Sequence, residues 1–238
     1  MTRFDTTHWS IVLCARDGSS QARTALEALC RTYRPPVLAY IRRRGYSAET
    51  AEDLAQTFFG HFIEQAYHAN ADPARGRFRA FLLTALKRFL IDADIQAHAL
   101  KRGGGFQFKS FDQGTTGGNS LENLADTETP ERAFERSWAV TLLEAAMSRL
   151  REEAMNAGKQ QLFERLSQFL TERPDEADYT RVAAALNLRR NTLAVAVHRL
   201  RHRLRELIRD ELAQTTIDRA DLESEIRDMR ATLGTAIG

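Results

Sequence analysis

Apolar residues recur at spacings of three and four in nearly every long segment of the chain, and the two-residue alternation of a half-buried strand is nearly absent. The pattern predicts helices over Trp9 to Arg16, Ala22 to Arg44, Ser47 to Gln65 and Gly76 to Leu100. In the third of these, Leu54, Phe58, Phe62 and Ile63 form the apolar stripe, Ser47 is the N-cap, and Glu52, Asp53 and Gln56 project elsewhere. In the fourth, Phe78, Phe81, Leu82, Ala85 and Phe89 follow one face, so these phenylalanines read as core. Arg102-Gly103-Gly104-Gly105 ends that helix, and the stretch to about Thr129 is rich in Gly, Ser, Thr and Asn, the composition of a mobile linker. Pro130 opens the next helix in its first turn, where a missing N–H is no loss. Further helices are expected over Glu131 to Asn156, Lys159 to Leu170 and Ile217 to Leu233. The expected fold class is all-α: two helical bundles over 1–102 and 131–213, a flexible linker over 103–130, and a C-terminal helical extension over 214–238.

The segment from Tyr179 to Arg209 has a sharper pattern, one short helix, a tight turn and a long basic helix. Val182, Ala183 and Leu186 make one apolar face, with Ala183 small enough to let a second helix cross closely, and Leu188 plugs the turn. Asn187 stands where the turn needs a residue tolerant of positive φ. Thr192 caps or opens the second helix, whose Leu193, Val197, Leu200, Leu204 and Leu207 form the buried stripe. This is the layout of a helix-turn-helix that puts its second helix into a DNA major groove. From Arg181 to Arg209 the chain has eight arginines and one acid, Glu206, with His198 and His202 in addition. Such a run alone is usually a solvated face; joined to the helix-turn-helix pattern it indicates DNA binding.

The same segment resembles region 4 of the sigma factors of bacterial RNA polymerase, in the small two-domain extracytoplasmic-function class. Tyr179, Val182-Ala183, Leu186-Asn187, Thr192-Leu193 and Arg199 to Arg201 stand where that pattern has Tyr, an aliphatic-Ala pair, Leu-Gly, a Thr-Val pair and an R-x-R ending. The departures are Asn187 for Gly, and Ala194 and Ala196 where Lys and Arg are common. Upstream, Ala51 to Phe59 resembles the D-A-E-D-L-x-Q-E-x-F helix of region 2.2, the family's main docking surface for the clamp helices of the polymerase β′ subunit. Gly76 to Asp92, followed by Lys101-Arg102, is similar to regions 2.3 and 2.4, which read and melt the promoter −10 element, with Arg88 where the family often has Asn.

The resemblance implies roles for particular residues. Glu52, Asp53 and Gln56 would bind polymerase. Arg75, Arg77, Arg79, Lys87 and Arg88 would hold phosphates of the −10 element. Arg189, Arg190, Asn191, Thr192, His198, Arg199, Arg201 and Arg203 would contact the −35 element, and the linker would pass near the polymerase active-site channel. Two acids of the docking pattern are replaced here by Thr50 and Thr57. A phosphate restores about two negative charges and is favoured in a first helical turn. Thr50 lies three residues after Ser47, with Arg42, Arg43 and Arg44 just upstream. Some branches of the family are linked to Ser/Thr kinases, and the expectation is that such a kinase switches the factor on at Thr50, with Thr57 second; neutral drift at both positions stays open.

Composition adds boundaries. A chain of 238 residues with 43% hydrophobic content can build two small cores. Net charge is only +2, with basic segments offset by acidic ones at Glu122 to Glu135 and Asp218 to Asp228, which fits specific docking better than bulk nucleic-acid coating. Cys14 and Cys30 have no metal-ligand companions and read as reduced core residues. No run approaches the roughly eighteen apolar residues of a membrane span and no signal-peptide core precedes the first helix, so a cytoplasmic protein without membrane contact is expected. No Ser or Cys is set with a His as a nucleophile pair, Gly103 to Gly105 lack the Lys-Ser/Thr of a phosphate loop, and His61, His68 and Glu64 read as surface residues. No catalysis, metal or cofactor is expected; the partners are core RNA polymerase, promoter DNA and a kinase. Two other readings stay open, a stand-alone helix-turn-helix repressor or activator and a helical adaptor that binds only proteins. The acidic face of the last helix either rests on the basic helix as a brake or completes a bundle.

Overall fold

The computed structural model describes residues 20–64, 77–102, 128–171, 175–213 and 219–234. The expected helix from Trp9 to Arg16, Cys14, His68, Arg75 and the Gly-rich stretch after Arg102 lie outside the described residues. Among those described the fold is all-α, as expected, with nine helices and no strand. They are α1 (Ser20–Arg43), α2 (Ala48–Glu64), α3 (Phe78–Arg102), α4 (Pro130–Asn156), α5 (Gln160–Leu166), α6 (Gln168–Thr171), α7 (Glu176–Ala185), α8 (Arg190–Ala213) and α9 (Arg219–Leu233). Two compact units divide between Ser137 and Trp138, inside α4.

The first unit comprises α1, α2, α3 and the opening turns of α4. α1 continues through Pro35 and Pro36, which forgo two ladder bonds, because Tyr33, Val37, Tyr40 and Ile41 are buried on either side of them. Gly45, at φ 94, closes the helix, its N–H donating to the Arg42 carbonyl at 3.0 Å. Ser47 then caps α2 as its sequence position predicts: the Ser47 Oγ accepts from the Thr50 N–H at 3.1 Å. Phe58 and Phe62 are buried on the predicted stripe, and Ala51 and Ala55, both fully buried, let α2 lie close to α1. Phe58 packs its ring against Phe59, Phe62 and Phe89, while Phe78 meets Tyr33 edge-on at 5.2 Å. The Tyr46 hydroxyl donates to Asp94 Oδ1 at 2.6 Å and so ties the α1–α2 turn to α3. Burial first, and that hydrogen bond second, push the Tyr46 phenol up to about 12. Cys30 is a buried free thiol, pushed up to about 12 by burial and then by Glu27, which keeps it an inert core residue.

α4 starts as predicted, with Pro130 at its first position and the Thr129 hydroxyl accepting from the Arg132 N–H at 3.2 Å. Its first turns bring Ala133 and Phe134 into the core of the first unit.

In the second unit the remainder of α4 buries Trp138, Ala139, Leu142, Ala146, Leu150 and Ala154. The single helix expected over Lys159 to Leu170 is instead two, α5 and α6, parted at Ser167. The Ser167 hydroxyl donates to the Glu164 carbonyl at 3.0 Å, a local bond that competes with helix continuation. The break aims Phe163, Leu166, Phe169 and Leu170 inward. α7 and α8 then close a core of Leu166, Phe169, Ala183, Leu193 and Val197. α9 packs along the C-terminal half of α8, with Met229 buried beside Ile208 and Leu212 and Arg209 facing Glu223 at 3.4 Å. It thus extends the helical bundle of this unit.

Candidate nucleic-acid interface

The exposed face of α2 follows from its burial pattern. With Ala51, Ala55, Phe58 and Phe62 inward, Thr50, Asp53 and Thr57 fall at spacings of three and four on the outside, and Gln56 beside them is exposed too. The Thr50 hydroxyl lies 2.9 Å from that of Ser47, and Thr57 Oγ1 donates to the Asp53 carbonyl at 2.8 Å. Glu52 is not part of this face. It turns to α1, where Arg34 donates to Oε2 at 2.6 Å and Arg42 to Oε1 at 3.0 Å. Two guanidiniums already balance its charge, so Asp53 is the acid that the face presents.

The cations of α3 separate in the same way. Arg77 sits just before the helix, its carbonyl accepting from the Ala80 and Phe81 N–H groups at 3.1 Å each. Arg79, placed at the −10 element by the resemblance, is 5% exposed and ion-paired with Glu135 of α4. A desolvated guanidinium held by a carboxylate supports the unit from within and is not a surface cation. Lys87 bonds Glu131 at 2.7 Å, and that hydrogen bond is the first cause holding the Glu131 carboxyl below the usual range. Arg88 is exposed and has no ion-pair partner among the described residues. Ile91 and Ile95, 53% and 60% exposed, continue its side of the helix. Sequence reading passed over both, although their spacing is out of phase with the buried stripe of Phe78, Leu82, Ala85 and Phe89. His61 meets Phe89 edge-on at 5.7 Å, a packing contact.

The α7–turn–α8 arrangement is built from local signals. Asp175 caps α7 with a reciprocal pair: its Oδ1 accepts from the Asp178 N–H at 2.7 Å, and its own N–H donates to Asp178 Oδ2 at 3.3 Å. Asn187 takes φ 52, the only non-glycine residue with positive φ among those described. That lets the Leu188 N–H reach the Ala183 carbonyl at 2.9 Å and turns the chain into α8. α8 begins at Arg190, so Thr192 lies within its first turn and the entry is two residues earlier than Thr192. Ala183 is buried at the crossing, with Val182, Leu186 and Leu188 packed around it as the pattern predicts.

The eight expected DNA contacts, Arg189 just before α8 and seven on it, divide. Arg189, Asn191, Thr192, His198 and Arg199 are exposed. Arg190 is exposed and bonds Glu176 at 2.5 Å. Arg201 is turned inward, its Nε donating to the Phe169 carbonyl at 2.9 Å. Arg203 grips Glu153 of α4 through two bonds of 2.9 and 2.8 Å and Glu206 through a third of 2.7 Å. These two arginines anchor α8 to its neighbours, a role that sequence could not assign because Phe169 and Glu153 are far along the chain. Hydrogen bonds from Arg203 are the first cause holding both Glu153 and Glu206 below the usual carboxylate range. Folded-state values below the unfolded ones mean that this clamp contributes stability above the ordinary carboxylate range and loses it as pH falls below that range through the lowered folded values. Arg203→Gln should therefore shrink the loss of α8 amide protection between about pH 6 and about pH 3, measured by hydrogen exchange on the full chain with the intrinsic pH dependence of exchange removed; an unchanged loss would exclude the clamp as its source.

Among the described residues no group of three His, Cys, Asp or Glu side chains is gathered as a metal would need, and no helix is long and apolar enough to cross a membrane. No curated protein and no solved structure gives a significant match to the chain. Residues 29–94, which run from within α1 through all of α2 into α3, match the family model for sigma-70 region 2. The chain therefore carries a sigma-70 region 2 domain over this stretch.

Proposed function

We propose that the chain is an alternative sigma factor of the extracytoplasmic-function class, in which α2 docks on the clamp helices of the β′ subunit, the basic side of α3 opens the −10 element, and α7–α8 hold the −35 element. The observation that carries this reading is that α7 and α8, joined by the tight Asn187 turn, lie downstream of a sigma-70 region 2 match, which supports reading them as a helix-turn-helix. A stand-alone repressor would need the former without the latter. The outward residues Asp53, Gln56, Arg88, Asn191, Thr192, His198 and Arg199 are the contacts this reading uses; Arg79 acts as an internal support, and Arg201 and Arg203 tie α8 to its neighbours.

Thr50 is the regulatory position in this reading, phosphorylated by a Ser/Thr kinase of a linked branch, with Thr57 second. It is exposed in the first turn of α2, on the face of Asp53, while the Glu52 charge is balanced by Arg34 and Arg42. A phosphate there adds about two negative charges beside the positive end of the helix. The test is binding of the full chain to core RNA polymerase, unmodified beside Thr50→Glu and kinase-treated protein. Binding that tightens at least about tenfold on modification is expected, a coupling of the usual size for such switches. Equal binding by all samples would remove the switch and keep the sigma assignment. Absence of binding by every sample would leave the stand-alone DNA-binding regulator.

A further inference from the structure

We infer that Val195 is a specificity-determining residue that reads a thymine through its C5-methyl group. The inference rests on the proposed role of α7–α8 in entering a major groove, and it concerns what the outward face of α8 recognises there. With Leu193, Val197 and Leu204 buried, the opposite side of α8 carries Asn191, Val195, His198, Arg199 and His202, all exposed. Asn191 precedes Val195 by four residues, while His198 and Arg199 follow it by three and four, so Val195 stands at the centre of a polar stripe. It is 49% exposed, and among the described residues it is the only large hydrophobic side chain of α8 that is exposed to this degree.

That placement is unfavourable for the isolated unit. Valine is a poorer helix former than alanine, lysine or arginine, and an outward position leaves about half of its apolar surface in water. Insertion into DNA supplies the missing partner. Base edges in the major groove display hydrogen-bonding groups and one apolar group, the thymine methyl. Asn191 offers the amide that matches adenine on one side of Val195, and Arg199 offers a guanidinium for guanine or phosphate on the other. The apolar centre between them selects the methyl-bearing base, since a cytosine amino group set against the valine would lose its hydration without gaining a partner.

The test selects duplexes from a random pool with the purified full chain, then replaces each thymine of the enriched site with deoxyuridine, which removes only the methyl group. One replacement is expected to weaken wild-type binding about fourfold, the factor carried by burial of one methyl-sized group. Val195→Ala, at an exposed helical position and therefore folded, should show a loss within about 1.5-fold for the same replacement, as a double-mutant cycle requires of a direct contact. Arg199→Ala should weaken all duplexes and keep the deoxyuridine sensitivity. Wild-type indifference to every replacement, or an undiminished loss in Val195→Ala, overturns the assignment to Val195 while leaving the helix-turn-helix as a DNA reader. Failure to enrich any duplex overturns that underlying reading and this inference with it.

Discussion

Phe58→Ala should lower the stability of the first unit by about 3–5 kcal/mol, the usual cost of emptying a fully packed phenylalanine site. Phe58 is 0% exposed and touches the rings of Phe59, Phe62 and Phe89, so its removal opens a cavity where α2 and α3 meet. The surrounding aromatic rings are too stiff to fill it by small shifts. Because the chain has two units, one global unfolding free energy is a poor readout. Hydrogen exchange of the α1, α2 and α3 amides reads this unit by itself, and their protection should fall while that of α7 and α8 stays near its wild-type level. Gln56→Ala, on the outer face of the same helix, should stay within about 0.5 kcal/mol of wild type in that assay and weaken polymerase binding instead. A Phe58→Ala protein with less than about 1 kcal/mol of loss would contradict the packing of α2 on α3.

The contrast between those two residues also marks what the sequence discloses. Phe58 and Phe62 are legible because helical spacing puts them on one stripe, and Ser47, Pro130 and Asn187 because each acts on backbone within a few residues of itself. Ala51 and Ala55 are fully buried yet escaped the stripe, since alanine is equally at home on either face of a helix. Charged residues were the least legible. Glu52, Arg79, Arg201 and Arg203 stand at the right register for partner contacts, but each is engaged by a group on another element: Arg34 and Arg42, Glu135, the Phe169 carbonyl and Glu153. Register says which way a cation can point; only the tertiary neighbours decide whether it does. The converse holds for Ile91, Ile95 and Val195, apolar side chains left outward where hydropathy alone would place them inside.

Arg79 gives that distinction a measurable form. Glu135→Ala should destabilise the first unit by about 2–3 kcal/mol, somewhat below the cost of breaking a fully buried pair because Glu135 keeps partial contact with solvent. The carboxylate that Arg79 faces is then lost while its guanidinium stays desolvated, and hydrogen exchange in α3 should report the loss directly. Replacing both residues with leucine should recover most of the deficit, since an apolar pair of similar size needs no compensation for lost hydration. A cation serving the −10 element would behave in the opposite way. Freed from Glu135, it would leave stability nearly unchanged and raise affinity for promoter DNA, by removing a competing negative charge. Arg88→Ala supplies the complement: exposed and without an ion-pair partner among the described residues, it should leave the exchange pattern intact and weaken promoter binding with a reduced salt slope. If Glu135→Ala strengthened DNA binding without loosening α3, Arg79 would return to the set of DNA contacts, and the pair would be a surface latch and not a support of the helix.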